Sequence, residues 1–491
     1  MSNPEQEGPT LYWYDLETFG LDPARDRIAQ FAGVRTDLDL NVIGDPQVLY
    51  CKSAPDYLPD PSACLVTGIT PQIAGERGLI EAEFVDAIRR EFMRPESCVA
   101  GYNNLRFDDE VIRHAFYRNL YDPYEREWRD GNSRWDIIDM VRLVAALRPD
   151  GLVWPETESG RPSLRLEDLT AANGIEHVGA HDALSDVLAT IALARRIKEC
   201  QPRLYEFVFA HRDKRSAADL LASNAAGPVV HVSGRYSSAQ RHLALVRPLA
   251  RHPGNPNGVI VYDLSVDPTP LLELDVVAIR QRLFVRAADG GADTPRIPLK
   301  TVHLNRCPVL APLRVIRPAD ARRLNIDLDS VQTHWRTLSD SAGLAEKVAA
   351  VFEPTDGPDV SDPELMLYRG GFLSHSDRRL LEHARRLQPA ELAGRTWDFQ
   401  DQRLPELLFR FRARNFPDTL NAGERERWEV WRLSRLNGEE SGWRSLPAYL
   451  AAIDALDRDA DVDRYRSAVL AELRAYGSAV SGRNSGDLPY T

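Results

Sequence analysis

Cysteine is scarce in this 491-residue chain, and the five that occur are scattered, with no Cys-x-x-Cys pair. Their odd number and irregular spacing exclude a disulfide-stapled scaffold and give no sign of a cysteine zinc site. Long apolar runs are missing too, since no stretch approaches the roughly 18 uncharged residues of a transmembrane helix. The first ten residues, MSNPEQEGPT, lack the basic start and apolar core of a secretory signal. We therefore expect a cytoplasmic protein with free thiols and no membrane association.

Apolar and charged residues are both present in ordinary amounts, at 43% and 27% of the chain. This composition excludes collagen-like, low-complexity and wholly disordered proteins, because it supplies enough apolar surface for packed cores. At roughly 100–200 residues per domain, the length predicts about three domains.

The net charge of −12 is unevenly distributed along the chain. Residues 1–200 hold 21 Lys and Arg against 35 Asp and Glu, whereas residues 201–350 hold 20 against 14. An acidic first part can gather metal ions, and a basic middle part can gather phosphates. Two solvated faces would give the same totals, and charge alone favours that simpler interpretation.

The hydrophobic pattern changes twice along the chain. Residues 1–200 begin with strand-like runs and continue with amphipathic helices, which predicts an α/β domain with a mixed sheet and flanking helices. Residues 201–355 contain short apolar runs between Pro, Gly and Asn, such as GVIVYDL and RLFVRA, which predicts a small β-rich, barrel-like domain. A Pro-rich acidic stretch at 352–364 contains the second boundary, and residues 356–491 have a helical pattern that predicts a helical C-terminal domain.

The segment YDLETFG (14–20) carries two carboxylates at the end of an apolar strand. Asp15 and Glu17 are two residues apart, so they point to the same face of a strand. Two neighbouring carboxylates repel each other, and a hard divalent cation between them would relieve that repulsion. An exposed strand end with solvated acids is the more common explanation of an isolated D-x-E pattern.

Two further acidic elements follow. Asp108 lies at the start of a predicted helix in NNLRFDDE (103–110), where it could equally interact with the helix dipole, and its neighbour Asp109 is a rival for any ligand role. In HDALSD, His181 and Asp186 are separated by the opening turns of another apolar helix. An H-x4-D pattern is weak by itself, because a capping His and a solvated Asp produce it.

Together, the three elements occur in order within one α/β segment and resemble the DEDDh branch of the proofreading-type 3′–5′ exonucleases, which have an RNase H-like fold. The residues around each acid resemble that branch as well, namely YDLETFG, YNNLRFDDE and AHDALSDVLATIALA. Sequence segments farther along the chain resemble one family within this branch, the bacterial exonuclease I family of single-strand-specific DNA exonucleases. They are QPRLYEFVFAHRDK (201–214), HVSG (231–234), CPVLAP (307–312), RPADARRLNI (317–326) and FRARNFPDTL (411–420).

This resemblance implies that Asp15, Glu17, Asp108 and Asp186 hold two Mg²⁺ ions, for which Mn²⁺ can substitute. It implies that His181 takes a proton from the attacking water. The implied activity is hydrolysis of single-stranded DNA from the 3′ end, with release of 5′-mononucleotides and a role in DNA repair and recombination.

Several residues suit substrate contacts. Arg165 is a candidate ligand for the terminal phosphate because a guanidinium matches phosphate oxygens, although a surface pair with Glu167 or Asp168 explains it equally well. Phe19 and Leu21, just after the first two acids, could wedge against the terminal base. Aromatic residues interleaved with basic ones can stack on the bases and neutralise the phosphates of single-stranded DNA. The candidates for lining the path of the DNA strand are Arg113, Tyr124, Trp128, Arg142 and Lys214. For FRFRARNF (409–416), an amphipathic helix with Phe inward and Arg outward is favoured over a DNA contact.

The family resemblance also implies a partner, the acidic, apolar C-terminal tail of single-stranded DNA-binding protein. Such a tail requires a basic and hydrophobic pocket, and Arg148 and Arg317 are the candidates for it. We further expect a monomer that associates with the nucleoid through DNA.

Two alternatives remain open. A 3′–5′ exoribonuclease of the same superfamily would use the same catalytic groups, although two extra domains argue against it. A catalytically silent DNA-binding scaffold would be expected to have lost one of the acids, and all four acids and His181 are present.

Overall fold

The computed structural model describes residues 8–158, 160–177, 179, 182–223, 227–284, 296–354, 360–438, 442–458 and 464–482. The chain divides into two compact units. Unit 1 comprises residues 1–133, 178–188 and 358–491, and unit 2 comprises residues 134–177 and 189–357.

The strands are short to medium in length. Those of the described residues are β1 (Thr10–Thr18), β2 (Ile28–Thr36), β3 (Val42–Tyr50), β4 (Ser97–Gly101), β5 (Ser133–Asp136), β6 (Val229–Val232), β7 (Leu243–Arg251), β8 (Gly258–Asp263), β9 (Leu299–His303) and β10 (Val309–Pro312).

Helices occur in both units. Before residue 225 they are α1 (Pro61–Thr67), α2 (Pro71–Arg77), α3 (Glu81–Phe92), α4 (Asp108–Arg118), α5 (Ile138–Leu147), α6 (Leu166–Ala172), α7 (Ala183–Cys200), α8 (Pro202–Ala210) and α9 (Lys214–Ser223). After residue 260 they are α10 (Thr269–Glu273), α11 (Val276–Phe284), α12 (Pro318–Arg323), α13 (Leu328–Ser339), α14 (Leu344–Val351), α15 (His375–Arg386), α16 (Pro389–Leu392), α17 (Leu404–Asn415), α18 (Ala422–Asn437), α19 (Leu446–Asp457) and α20 (Arg464–Val480).

The sheet of unit 1 confirms the predicted mixed architecture. Its strands run in the order β3-β2-β1-β4, with β1 antiparallel to β2 and parallel to β4. Both β1 and β2 are buried along almost their whole length, as expected for central strands rich in aromatic and β-branched residues. One face of β1 packs Tyr12, Tyr14 and Leu16 against apolar side chains of α3 and α4. Alternation along β1 directs Trp13, Asp15 and Glu17 to the opposite face.

The C-terminal helices of unit 1 pack on the same α/β core. Helices α19 and α20 enclose an apolar cluster with Phe19 and Tyr57, and α15 and α17 enclose another with Tyr117 from the end of α4. The predicted helical C-terminal region is thereby confirmed.

Helix α17 corrects one prediction about side-chain orientation. The helix itself occurs as expected, but Arg410, Arg412 and Arg414 are buried together with their Phe neighbours. Arg414 Nη2 lies 2.8 Å from Asp56 Oδ2 and 2.6 Å from Glu364 Oε1, so ion pairs compensate the buried charge. These arginines are interior residues, which removes this helix from consideration as a DNA contact.

Unit 2 contains the predicted β-rich module. Its sheet has the order β10-β6-β7-β8-β9 with antiparallel pairing throughout, and Val229, Val246, Val261 and Val302 contribute to its core. The strand expectation was wrong at RLFVRA, because its first three residues end helix α11. A short apolar run does not distinguish a strand from a buried helical segment.

Among the described residues, no helix is both long and apolar enough to cross a bilayer.

Candidate active site

The pleat of β1 brings two carboxylates to one face of the unit 1 sheet. Asp15 lies opposite Ala32 of β2, and Glu17 lies opposite Gln30. Since Tyr14 and Leu16 point into the apolar core, the alternation of the strand directs both acids away from it. Asp15 is half-buried and Glu17 is only 8% exposed. The sequence prediction of a shared face is confirmed.

A third carboxylate reaches this pair from a distant part of the chain. Asp186 lies in the first turn of α7, and carboxylate oxygens of Asp15, Glu17 and Asp186 all lie within 4.8 Å of one another. Such a cluster supplies the hard oxygen ligands that Mg²⁺ and Mn²⁺ prefer.

The structure distinguishes the two adjacent acids at the start of α4. Asp109 is 1% exposed, accepts a 2.6 Å hydrogen bond from the Tyr14 hydroxyl and pairs with Arg126 Nη2 at 2.7 Å. These contacts hold Asp109 inside the fold. Asp108 instead lies near enough to Asp15 for its charge to raise the pKa of that residue. Asp108 therefore remains the candidate for the fourth acid, and its role as a metal ligand stays a prediction.

The close approach of β4 to β1 helps place the turn that precedes Asp108. A Cβ on Gly101 would lie 2.8 Å from Asn104 Nδ2 and 3.0 Å from the Tyr14 carbonyl oxygen. Glycine thus allows Asn104 and the following short 3₁₀ turn to pack directly on the central strand. Helix α4 then begins at Asp108, without a side-chain cap on its first turn.

The electrostatics of the cluster fit a cation. Burial, together with the charges of Asp108 and Asp186, raises the pKa of Asp15 well above its usual range. Burial and the charges of Asp15, Asp186 and Asp182 raise the pKa of Glu17 to about 9. Carboxylates this close repel one another when ionised, and a divalent cation reverses the sign of that interaction. The donor set present therefore suits a divalent metal ion.

The start of α7 is tied to β2 through a buried amide. Gln30, 2% exposed, receives the Ala183 backbone N–H at 3.4 Å and donates to Asp182 Oδ1 at 3.5 Å. The same amide donates to the Tyr50 hydroxyl at 2.9 Å. His181 lies outside the described residues, so its predicted role as a base is a matter for experiment.

The loop after β1 corrects the expectation for Phe19. Its ring is 1% exposed and packs 6.4 Å from the ring of Tyr57, so it is part of a core and not of a surface. Leu21, in contrast, is 84% exposed and is the apolar residue of this loop that a terminal base could contact.

The three predicted path residues of unit 1 differ in accessibility. Trp128 is 64% exposed, as expected for a stacking platform. Tyr124 is half-buried, with its ring 5.4 Å from the guanidinium carbon of Arg113. Arg113 itself is only 5% exposed and is paired with Glu110 and Glu127. We accordingly revise its predicted role, because its charge is compensated within the protein.

The sequence interpretation missed two aromatic residues beside Tyr124. Tyr368 and Phe372 are 56% and 83% exposed, and the Phe372 ring lies 6.0 Å from that of Tyr124. All three line a cleft of about 150 Å³. The sequence signal for them is the pair of aromatic residues on either side of Gly-Gly in LYRGGFL (367–373).

The predicted substrate residues of unit 2 lie on its surface or in local pairs. Arg165 is exposed at the N-terminal cap of α6, and Lys214 is exposed at the start of α9. Arg142 is less accessible, because Nη1 donates to Asp139 Oδ1 at 2.5 Å. A Cβ on Gly234 would lie 2.8 Å from Arg142 Nη2, so the backbone at Gly234 packs closely against the Arg142 guanidinium.

The two candidate residues for the partner tail, Arg148 and Arg317, both form a hydrogen bond with the carboxylate of Asp320. Arg148 Nη1 donates to Asp320 Oδ2 at 3.0 Å, and Arg148 Nη2 donates to the Val315 carbonyl oxygen at 2.9 Å. The backbone N–H of Arg317 donates to the same Asp320 oxygen at 3.1 Å, while its side chain is exposed. Residues far apart in sequence thus lie in one neighbourhood within unit 2.

Family models match three successive parts of the chain. They are described as Exonuclease (residues 12–194), Exonuclease I SH3-like domain (212–354) and Exonuclease I C-terminal domain (361–480). Among curated proteins, the chain is 44% identical to exodeoxyribonuclease I of Escherichia coli strain K12, over 98% of this chain and 100% of that protein. The oligoribonuclease of Actinobacillus pleuropneumoniae is 37% identical, but over only 30% of this chain.

Solved structures agree along almost the full length. The exonuclease I of Methylocaldum szegediense has a TM-score of 0.93 and 56% identity, covering 96% of this chain and 100% of that one. E. coli exonuclease I in complex with a dA16 oligonucleotide has a TM-score of 0.92 and 44% identity, with the same coverage. A complex described as SSB/exonuclease I with an inhibitor has a TM-score of 0.87 and 43% identity, again covering 96% of this chain and 100% of that one. With its acidic cluster and three matching segments, this chain belongs to the exonuclease I family.

Proposed function

We propose that this protein is an exodeoxyribonuclease that degrades single-stranded DNA from the 3′ end and releases 5′-mononucleotides. The carboxylate cluster of Asp15, Glu17 and Asp186, in a chain similar to exonuclease I over nearly its whole length, carries this proposal. The oligonucleotide complexes of the E. coli relative support the substrate class.

The four acids, Asp15, Glu17, Asp108 and Asp186, would hold two Mg²⁺ ions, with Mn²⁺ as a substitute. When bound, such ions polarise the scissile phosphate and the attacking water and neutralise the charge that develops. The protein contributes a rigid, largely buried strand for two of the acids and a helix start for each of the other two. In the reaction, a water oxygen bonds to phosphorus, the P–O3′ bond breaks, and the 3′-oxygen takes a proton from solvent.

His181 would accept the proton that the attacking water loses, at one of its imidazole nitrogens. We expect His181→Ala to lower the turnover number by roughly 10²–10⁴-fold, because the positioned base is lost. Binding of single-stranded DNA in EDTA should stay within roughly twofold of wild type. Single-turnover hydrolysis and fluorescence anisotropy measure the two quantities. An equal loss of both would contradict the role of general base.

Metal binding should also stabilise the fold. A cation that binds only the folded state adds about 2.7 kcal/mol to the free energy of unfolding at a concentration one hundred times its dissociation constant. We expect MgCl₂ to stabilise the wild type against urea relative to EDTA at equal ionic strength, and Glu17→Gln to lose most of this effect. The same Mg²⁺ stabilisation in both proteins would show that the ion binds elsewhere.

A path for the single strand would use exposed aromatic and basic side chains. In unit 1 the candidates are Trp128, Tyr124, Tyr368 and Phe372, whose rings can stack on bases without sequence preference. In unit 2, the exposed Arg165 and Lys214 would contact phosphates, and each such contact adds salt dependence. Arg142 is the weaker candidate, because its guanidinium is paired with Asp139.

A DNA substrate is favoured over RNA by the extent of the similarity. The oligoribonuclease matches 30% of the chain, whereas exodeoxyribonuclease I of Escherichia coli matches 98% of it. From the similarity to exonuclease I we also propose domains at 1–200, 201–355 and 356–491. We further propose a monomeric, cytoplasmic protein with a role in DNA repair and recombination.

The proposed protein partner is the C-terminal tail of single-stranded DNA-binding protein. An acidic tail would bind the basic groups of Arg148 and Arg317. The complex described for the relative supports this partner. The Arg317 side chain is exposed, whereas that of Arg148 is already paired with Asp320, so Arg317 is the stronger candidate.

Mononucleotide release from end-labelled single-stranded DNA tests the proposed function. With Mg²⁺, a 3′ label should appear in mononucleotides from the first turnovers, and a 5′ label should remain in progressively shorter strands. EDTA should stop both processes. Hydrolysis of RNA at the same rate as DNA, or early release of the 5′ label, would overturn the proposal.

A further inference from the structure

A polar cluster on α4 anchors an aromatic side chain from the C-terminal segment of unit 1. Glu110 accepts a hydrogen bond from the Tyr368 hydroxyl through Oε2, and from Arg113 Nη1 at 2.8 Å through Oε1. Arg113 Nη1 also donates to the Tyr368 hydroxyl at 3.3 Å. The ring of Tyr368 nevertheless remains 56% exposed. Its polar end is thus held while much of its apolar surface stays open to solvent.

The ring of Tyr124 lies over the guanidinium of the same Arg113. Arg113 donates from Nε to Glu127 Oε1 at 2.9 Å and from Nη2 to Glu127 Oε2 at 3.1 Å. Its guanidinium carbon lies 5.4 Å from the centre of the Tyr124 ring, which is 6.5 Å from the Tyr368 ring. Two carboxylates therefore fix one buried cation, and that cation contacts both aromatic residues.

Such anchoring changes the cost of binding a flexible strand. An exposed side chain that is free to change rotamer loses conformational entropy when a base stacks on it, and this loss weakens binding. A ring held in place beforehand loses less. The helix that carries Glu110 begins at Asp108, so the anchor and one acid of the cluster share one rigid element.

We propose that Glu110 is a positioning residue, which orients Tyr368 so that the ring stacks on a base of single-stranded DNA. Glu110 acts through its hydrogen bonds with Tyr368 and Arg113. The inference rests on the proposed function and adds to it a residue that determines how firmly the strand is held.

A double-mutant cycle tests this role. In EDTA, Glu110→Ala and Tyr368→Phe should each raise the dissociation constant for a labelled oligothymidylate by roughly fivefold to tenfold, because both remove the same hydrogen bond. The double variant should be no weaker than the weaker single variant. With Mg²⁺, the KM for the oligonucleotide should rise in parallel, while the turnover number at saturation stays within roughly twofold.

Glu91→Ala is the matched control, because Glu91 also compensates a largely buried arginine of unit 1, Arg35 at 3.1 Å. This variant should bind the oligonucleotide like wild type. Unchanged binding by Glu110→Ala, strictly additive losses in the cycle, or an equal loss with Glu91→Ala would each overturn the inference. If Glu110→Ala does not fold, Tyr368→Phe decides alone, and wild-type binding by it would overturn the inference. Failure of the wild type to degrade DNA would instead refute the proposed function.

Discussion

Asp15→Asn is expected to lower the turnover number for hydrolysis of single-stranded DNA by at least about 10³-fold, a loss of roughly 4 kcal/mol in transition-state stabilisation. Asp15 lies at the centre of the cluster, where its oxygens are within reach of Glu17 and Asp186, and the charge of Asp108 acts on it as well. Replacing its ionised oxygen with an amide removes a metal ligand and keeps the shape of the side chain. The dissociation constant for an oligonucleotide in EDTA should stay within roughly threefold of wild type.

The stability of this variant separates lost chemistry from a damaged fold. Burial and neighbouring charges raise the pKa of Asp15, which means that its ionised form is disfavoured where it stands. Without metal, the neutral amide should therefore leave the protein at least as stable in urea as the wild type. Asp45→Asn, at an exposed position on β3, is the control and should keep full activity. Turnover within tenfold of wild type for Asp15→Asn would contradict the assigned role.

Asp56→Asn is expected to have the largest effect on stability, a loss of about 3–5 kcal/mol in the free energy of unfolding. The Asp56 carboxylate accepts bonds of 2.8–3.2 Å from Arg414 and one of 2.9 Å from Arg435, and all three side chains are almost fully buried. Removing this anion leaves two buried cations with Glu364 as their shared partner. Asp454→Asn is the control, because the exposed Arg474 retains Asp457, and it should cost less than about 1 kcal/mol. Urea unfolding followed by tryptophan fluorescence measures both losses.

The same network gives the stability a defined dependence on pH. Burial alone would raise the pKa of Asp56 and of Glu364, but the charges of Arg414 and its neighbours outweigh burial and hold both pKa values below their usual range. A carboxyl group with a lowered pKa stabilises the folded state fully above its unfolded pKa, near pH 4, and this contribution is lost as the pH falls further. We expect wild type to lose stability steeply below about pH 4, and Asp56→Asn to show a shallower loss. Parallel pH profiles would contradict this explanation.

The sequence predicted the features that depend on local periodicity. An apolar strand with acids two residues apart places Asp15 and Glu17 on one face, and the structure has that arrangement. The choice between Asp108 and Asp109 could not be made from the sequence, because both lie in the first turn of one helix. A hydrogen bond from Tyr14, which is 95 positions away, engages Asp109 inside the fold and leaves Asp108 as the candidate.

Other features depend on tertiary contacts that no local pattern shows. The arginines of α17 read as the polar side of an amphipathic helix, yet they are buried because Asp56, Asp362, Glu364 and Glu424 meet them from distant segments. Phe19 looked accessible because it follows two candidate ligands, but α19 and α20 supply the apolar cluster that covers it. Tyr368 and Phe372 become candidates for a DNA contact only because the fold places their rings beside that of Tyr124.

Anomalous diffraction from crystals of the protein soaked in MnCl₂ tests the account most directly. Data collected at the manganese edge should show a strong peak between the carboxylates of Asp15, Glu17 and Asp186, with Asp108 beside it, and crystals of Asp15→Asn should lose or weaken it. Manganese bound at other residues, with no density at this cluster in an enzyme that is active with Mn²⁺, would contradict the account.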